Sequence, residues 1–170
     1  CTRFGGAGYL IRATSASLQT LGAAGSLLLR VKLSELKRQQ QLFYNAQGGS
    51  VFYYGFNNNT VFVMAGASPT AIPGAYIVNA WYDILITWQY PGDVKAYRCA
   101  VGGSDSTVTV SAVAEKTFDA PCYIGNATPA AILNGSLRDV MLLSRVITPE
   151  EWTAYKAGTK PTGSVVADWP

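Results

Sequence analysis

Short apolar runs, each closed by glycine, proline, asparagine or serine, recur from one end of this sequence to the other. That cadence leaves few folds open. Strands so brief and so closely spaced pack as a sandwich or close into a barrel. Tyr9-Leu10-Ile11 is an early short strand, followed by a connection rich in serine and threonine. From Ser26 to Leu33 the pattern alternates, with Leu27, Leu29, Val31 and Leu33 on one face and Leu28, Arg30 and Lys32 on the other. After a polar stretch from Ser34 to Gln41, read as a loop, come Leu42-Phe43-Tyr44, Val51 to Phe56 and Thr60 to Met64. Asn57-Asn58-Asn59 between the last two is turn chemistry, since asparagine tolerates left-handed backbone angles. Ala80 to Tyr90 is the strongest strand signal, with Ile84, Ile86 and Trp88 on one face. Pro91-Gly92-Asp93 turns the chain into an antiparallel return over Val94 to Val101, and Gly102-Gly103-Ser104-Asp105 turns it again into Thr107 to Val113. Further strands are expected at Cys122 to Gly125 and Leu137 to Leu143.

A single helix is expected. Thr148 is a suitable N-cap, Pro149 fits the first helical position, and Glu150 and Glu151 complement the positive end of the helix. Trp152 and Tyr155, three apart, share a face, while Gly158 and Pro161 end the element. The segment 159–170 reads as a linker or a closing strand, which leaves 1–158 as one domain. The start at Cys1 reads as that of a piece of a longer polypeptide.

Composition excludes several classes. With 49% hydrophobic and 14% charged residues over 170 positions, the chain can bury a core and is not a disordered tail. No apolar run is long enough for a membrane span. Thirteen Lys and Arg are scattered rather than gathered into a stripe, and the net charge is only +3, so no nucleic-acid partner is expected. The absence of histidine removes Ser-His-Asp and Cys-His catalysis. Cys1, Cys99 and Cys122 lack metal-site spacing. Cys99 and Cys122 fall on two expected strands and read either as a disulfide or, preferably, as small buried hydrophobes.

The order of motifs resembles a known family. Phe4-Gly5-Gly6-Ala7-Gly8-Tyr9-Leu10 opens the run, followed by Trp81-Tyr82-Asp83-Ile84-Leu85-Ile86-Thr87-Trp88, Val94-Lys95-Ala96-Tyr97 and Tyr123-Ile124-Gly125. Asn134-Gly135-Ser136-Leu137-Arg138-Asp139-Val140 and Ser144-Arg145-Val146-Ile147-Thr148-Pro149-Glu150-Glu151-Trp152 complete it. Together they resemble the laminin-G-like branch of the concanavalin A-like jelly rolls. The resemblance implies an all-β, two-sheet antiparallel sandwich with one short helix near the C-terminus.

Hydrolases of that fold carry acidic residues closely spaced on one strand, and this chain has no such cluster, so no enzyme is expected. Relatives commonly bind calcium. Asp83, Asp93, Asp105 and Asp119 are possible ligands, but no dense acidic loop is present and no cofactor is indicated. The resemblance implies recognition of a glycan or cell-surface receptor, extracellularly or on a virion surface. The alternative is an assembly domain of a viral or phage particle with protein partners and no glycan. Sugar binding uses aromatic faces with amide side chains, and the richest grouping of these is Tyr53, Tyr54, Phe56, Asn57, Asn58 and Asn59, with Tyr90 in a second. Trp81 and Trp88 are assigned to the core. Asn58, Asn126 and Asn134 begin Asn-x-Ser/Thr triplets, which matter only on a eukaryotic secretory route.

Overall fold

Thirteen strands and one helix form among residues 2–4, 10–12, 23–36, 40–47, 50–57, 60–65, 69–113, 122–124 and 133–169, which the computed structural model describes. The first seven strands are β1 (Thr2–Phe4), β2 (Leu10–Arg12), β3 (Ala24–Leu33), β4 (Gln40–Gln47), β5 (Ser50–Asn57), β6 (Thr60–Ala65) and β7 (Pro69–Ile72). They are followed by β8 (Trp81–Gln89), β9 (Gly92–Ala100), β10 (Asp105–Val113), β11 (Cys122–Ile124) and β12 (Gly135–Leu143). The helix α1 (Pro149–Lys156) and a last strand β13 (Val165–Trp169) close the order.

Two antiparallel sheets result. The larger has seven strands in the order β1-β12-β3-β8-β9-β10, with β13 also on β12. The beginning of β12 pairs with β1 and its second half with β13. The smaller sheet has six strands in the order β2-β11-β4-β5-β6-β7. The two-sheet antiparallel sandwich expected from sequence is thus the fold. β1 and β7 were not anticipated, and β4 begins at Gln40 rather than beyond the polar stretch. Gln40 is buried there because its side chain donates to Glu35 O at 2.7 Å and accepts from Asn134 N at 2.7 Å. The register Asn57↔Thr60 makes a two-residue hairpin, although Asn58 and Asn59 lie outside the described residues.

Alternation along the strands divides the hydrophobic residues into two layers. Leu27, Leu29, Val31, Ile84, Ile86, Trp88, Val94 and Leu142 enter the core shared with Leu42 and Ile72 of the smaller sheet. Leu28, Leu85, Cys99, Met141 and Leu143 point the other way and pack with Ile147, Trp152 and Tyr155, so that α1 lies on the outer face of the larger sheet. Gly25 is needed at its position, because a Cβ there would stand 2.1 Å from the Trp88 ring. A bulge in β12 between Arg138 and Met141, with Asp139 at φ 54°, lets Leu137, Val140 and Leu142 all reach the core.

One expectation changes here. Trp88 belongs to the core, but Trp81 is only half-buried and sits against Lys32 and Arg138, whose cations lie 5.1 and 4.4 Å from its ring centre. The two tryptophans are an odd number of residues apart on one strand, so one sheet face cannot hold both. Cys99 is a free, buried thiol in the layer under α1, on the opposite side of its sheet from the inter-sheet core. Cys122 belongs to the smaller sheet, so a bond between the two has no route.

Candidate functional site

The registers of β12, β3, β8, β9 and β10 lay the outward side chains of the larger sheet in transverse rows. One row is charged: Arg138, Arg30, Asp83, then Cys99 and Asp105. The next runs Met141, Leu28, Leu85, Tyr97 and Thr107, apolar for most of its length. The third runs Leu143, Ser26, Thr87, Lys95 and Thr109, and is largely hydroxyl and ammonium. The helix covers the first two rows and leaves much of the third open.

The helix is fixed at both ends. At its start, Glu151 N donates to Thr148 Oγ1 at 3.2 Å while Thr148 N donates to Glu151 Oε2 at 2.9 Å, a capping box. Arg145 grips the same carboxylate with two bonds of 2.6 and 2.5 Å, and with the Thr148 backbone it holds Glu151 well below the usual carboxylate range, at about 2. Below this segment, buried Ser26 donates to Arg145 O at 2.8 Å and accepts from Ile147 N at 3.0 Å. At the helix end, Arg30 forms a buried bidentate pair with Asp83 and also donates to Tyr155 O and Lys156 O, where the helix dipole is negative. Burial pushes the Asp83 carboxyl up, and Arg30 opposes that shift. Asp105 accepts from Trp152 Nε1 at 3.1 Å and from Lys156 at 3.0 Å, which locks the indole in place.

Beside the start of the helix lies a groove made of two adjoining cavities, of about 340 Å³ and about 580 Å³. Both are lined by Thr87, Lys95 and Val146. The smaller adds the aromatic wall of Tyr97 and Trp152, whose ring centres are 6.4 Å apart, and reaches Thr148. The larger continues to Gln89 and Asp93 at the β8–β9 hairpin. Val146, at 38% exposure, forms the rim between them. Aromatic rings, hydroxyls, an amide and one ammonium are the groups with which proteins hold saccharides or polar peptide surfaces.

The residues singled out in sequence are distributed otherwise. Tyr53, Tyr54, Phe56 and Asn57 lie on β5 in the smaller sheet, so they are not brought together with the groove. Tyr90 borders the larger cavity, but its ring is core, at 6% exposure, and burial pushes its hydroxyl pKa up. It presents no open face. Tyr76 and Tyr82 are also core, their rings tilted against each other beside Arg98, which donates inward to Ala75 O. Of the acids considered for calcium, Asp83 and Asp105 are held by cations, and no cluster of three or more ligating side chains occurs among the described residues. Sequence reasoning missed Lys95 and Tyr97. The available signal was their shared face on β9, beside Thr87 and Gln89 of β8.

A family model describing the concanavalin A-like lectin/glucanases superfamily, laminin G type, matches residues 4–151. The chain belongs to that superfamily. Solved structures carry the same fold. The LG1-3 region of the laminin α2 chain has 15% identity and a TM-score of 0.66, covering 84% of this chain and 30% of that one. A heptameric SAP-like pentraxin from Limulus polyphemus has 15% identity and a TM-score of 0.63, covering 86% and 76%. A putative carbohydrate binding protein from Bacteroides ovatus has 12% identity and a TM-score of 0.67, covering 95% and 48%. This laminin-G-like chain therefore spans less than a third of the laminin fragment and about half of the bacterial protein. No curated protein matches it in sequence. No helix among the described residues is long and apolar enough to cross a membrane.

Proposed function

We propose that this domain is a non-catalytic recognition module that takes a saccharide, presented free or on a cell-surface receptor, into the groove beside α1. The observation that carries the reading is the groove itself, an open trough with an aromatic wall at one end and hydroxyl, amide and ammonium groups along the rest. The superfamily supports it, as does a structural neighbour titled a putative carbohydrate binding protein. An extracellular or virion-surface setting accords with such a role.

The arrangement of acids argues against hydrolysis. Asp93 and the position opposite Asp105 are six residues apart on β9, roughly 20 Å at strand rise. Two catalytic carboxylates work at roughly 5–9.5 Å. Asp83 and Asp105 stand closer, two strands apart in one row, but Asp83 is buried against Arg30 and Asp105 is held by Trp152 and Lys156.

The test is a glycan array probed with the wild-type domain and with Val146→Trp. The new indole would fill the rim from an exposed position, so folding should be unaffected while binding falls at least about tenfold. An array without hits, or hits that Val146→Trp leaves unchanged, would refute the groove. The segment Tyr53 to Asn59 is proposed as a second contact surface. Loss of binding in Tyr54→Ala alone would move the site to the smaller sheet.

A further inference from the structure

Resting on the reading that the groove takes a saccharide, we infer that it selects one bearing a single carboxylate, a sialic or uronic acid unit, anchored by Lys95, and disfavours polyanions. Among the described residues, Lys95 is the only cation lining either cavity, and it lines both, so it stands where the two meet. Of the other cations described on this side of the sheet, Arg30 is engaged by Asp83, Arg145 by Glu151 and Lys156 by Asp105, while Lys32 and Arg138 lie over the Trp81 ring and line neither cavity. Lys95 forms no hydrogen bond or ion pair among the described residues, so its three donors are available to a ligand. A carboxylate on an ammonium makes a bond about twice as strong as a neutral one, and the neighbouring Thr87 hydroxyl and Gln89 amide can serve the sugar around it.

Charge on either side sets the upper limit. Asp93 lies two residues before Lys95 on the same strand face, roughly 7 Å away at strand rise, and no cation among the described residues pairs with it. Asp105 lies on the other side, at the Trp152 end. A second anionic group extending toward the hairpin meets the Asp93 carboxylate. The groove as a whole is therefore a monoanion site, unlike a basic stripe that accumulates contacts with a sulfated polymer.

Calorimetry on the intact domain tests this with 3′-sialyllactose, its methyl ester, lactose, a glucuronate-terminated trisaccharide and a heparin oligosaccharide. Wild type should bind one or both carboxylated sugars about tenfold more tightly than the ester or lactose, and more tightly than the heparin fragment. The preferred arm identifies the acid. Lys95→Gln should erase that preference, leaving the carboxylated sugars, the ester and lactose with equal affinity, and Asp93→Asn should strengthen heparin binding. Equal affinity for acid and ester, a preference that survives Lys95→Gln, or tightest binding to heparin would overturn the inference while leaving the groove as a saccharide site. Absence of binding to every sugar would overturn both.

Discussion

The outer face of the larger sheet carries charge along its length, yet its two halves use it differently. Under the end of α1, Arg30, Asp83, Asp105 and Lys156 are bound to one another, to Trp152 or to helix carbonyls. In the groove, Lys95 and Asp93 have no such partners among the described residues. Paired charges fix one element on another, and unpaired charges in a trough remain available for something else. The difference separates scaffold from recognition surface on a single sheet.

Breaking the paired half should have the largest effect. Arg30→Met leaves Asp83 buried without its cation, and urea denaturation should show a loss of about 3–5 kcal/mol. The double change Arg30→Met with Asp83→Leu should recover most of it, since removing both charges also removes the desolvation cost. Ser26→Ala is next. It deletes the hydroxyl that bridges Arg145 O and Ile147 N below the helix start, and about 1–2 kcal/mol should go with it.

Acid should loosen the same anchor. The folded-state pKa of Glu151 lies below its ordinary 4.5, at about 2, so the stability it supplies is full above about pH 4.5 and drains away as pH falls toward 2. Because Arg145 and Glu151 are partly exposed, solvent screening reduces the contribution to on the order of 1 kcal/mol. Glu151→Gln should show a correspondingly flatter stability profile over that range. In the unpaired half, Lys95→Gln should alter stability by less than about 0.5 kcal/mol. A larger loss would mean that Lys95 belongs to the scaffold.

Much of the fold was legible because strand parity is a local property. Leu27 to Leu33 and Ile84 to Trp88 divide between the two faces as their spacing requires. The same rule, applied to Trp81, would have kept it out of the core. The helix was legible down to its cap, since Thr148, Pro149 and Glu151 are neighbours in sequence. The groove was not, because its walls come from β8, β9 and the loop around Val146, far along the chain from both, joined only when α1 docks. Tyr90 misled for a related reason. A tyrosine beside a hairpin turn suits a surface, and only the hydrogen bond its amide donates to Ala23 O and the core around its ring put it inside.

The most direct test of the division is a map of backbone amide shifts in the labelled domain as 3′-sialyllactose is added. Saturable shifts should cluster at Thr87, Lys95, Tyr97 and Val146, with Arg30, Lys32 and Trp81 unmoved. Shifts confined to the charged row or to Tyr53 through Asn57, or no shifts at all, would contradict the assignment of recognition to the groove.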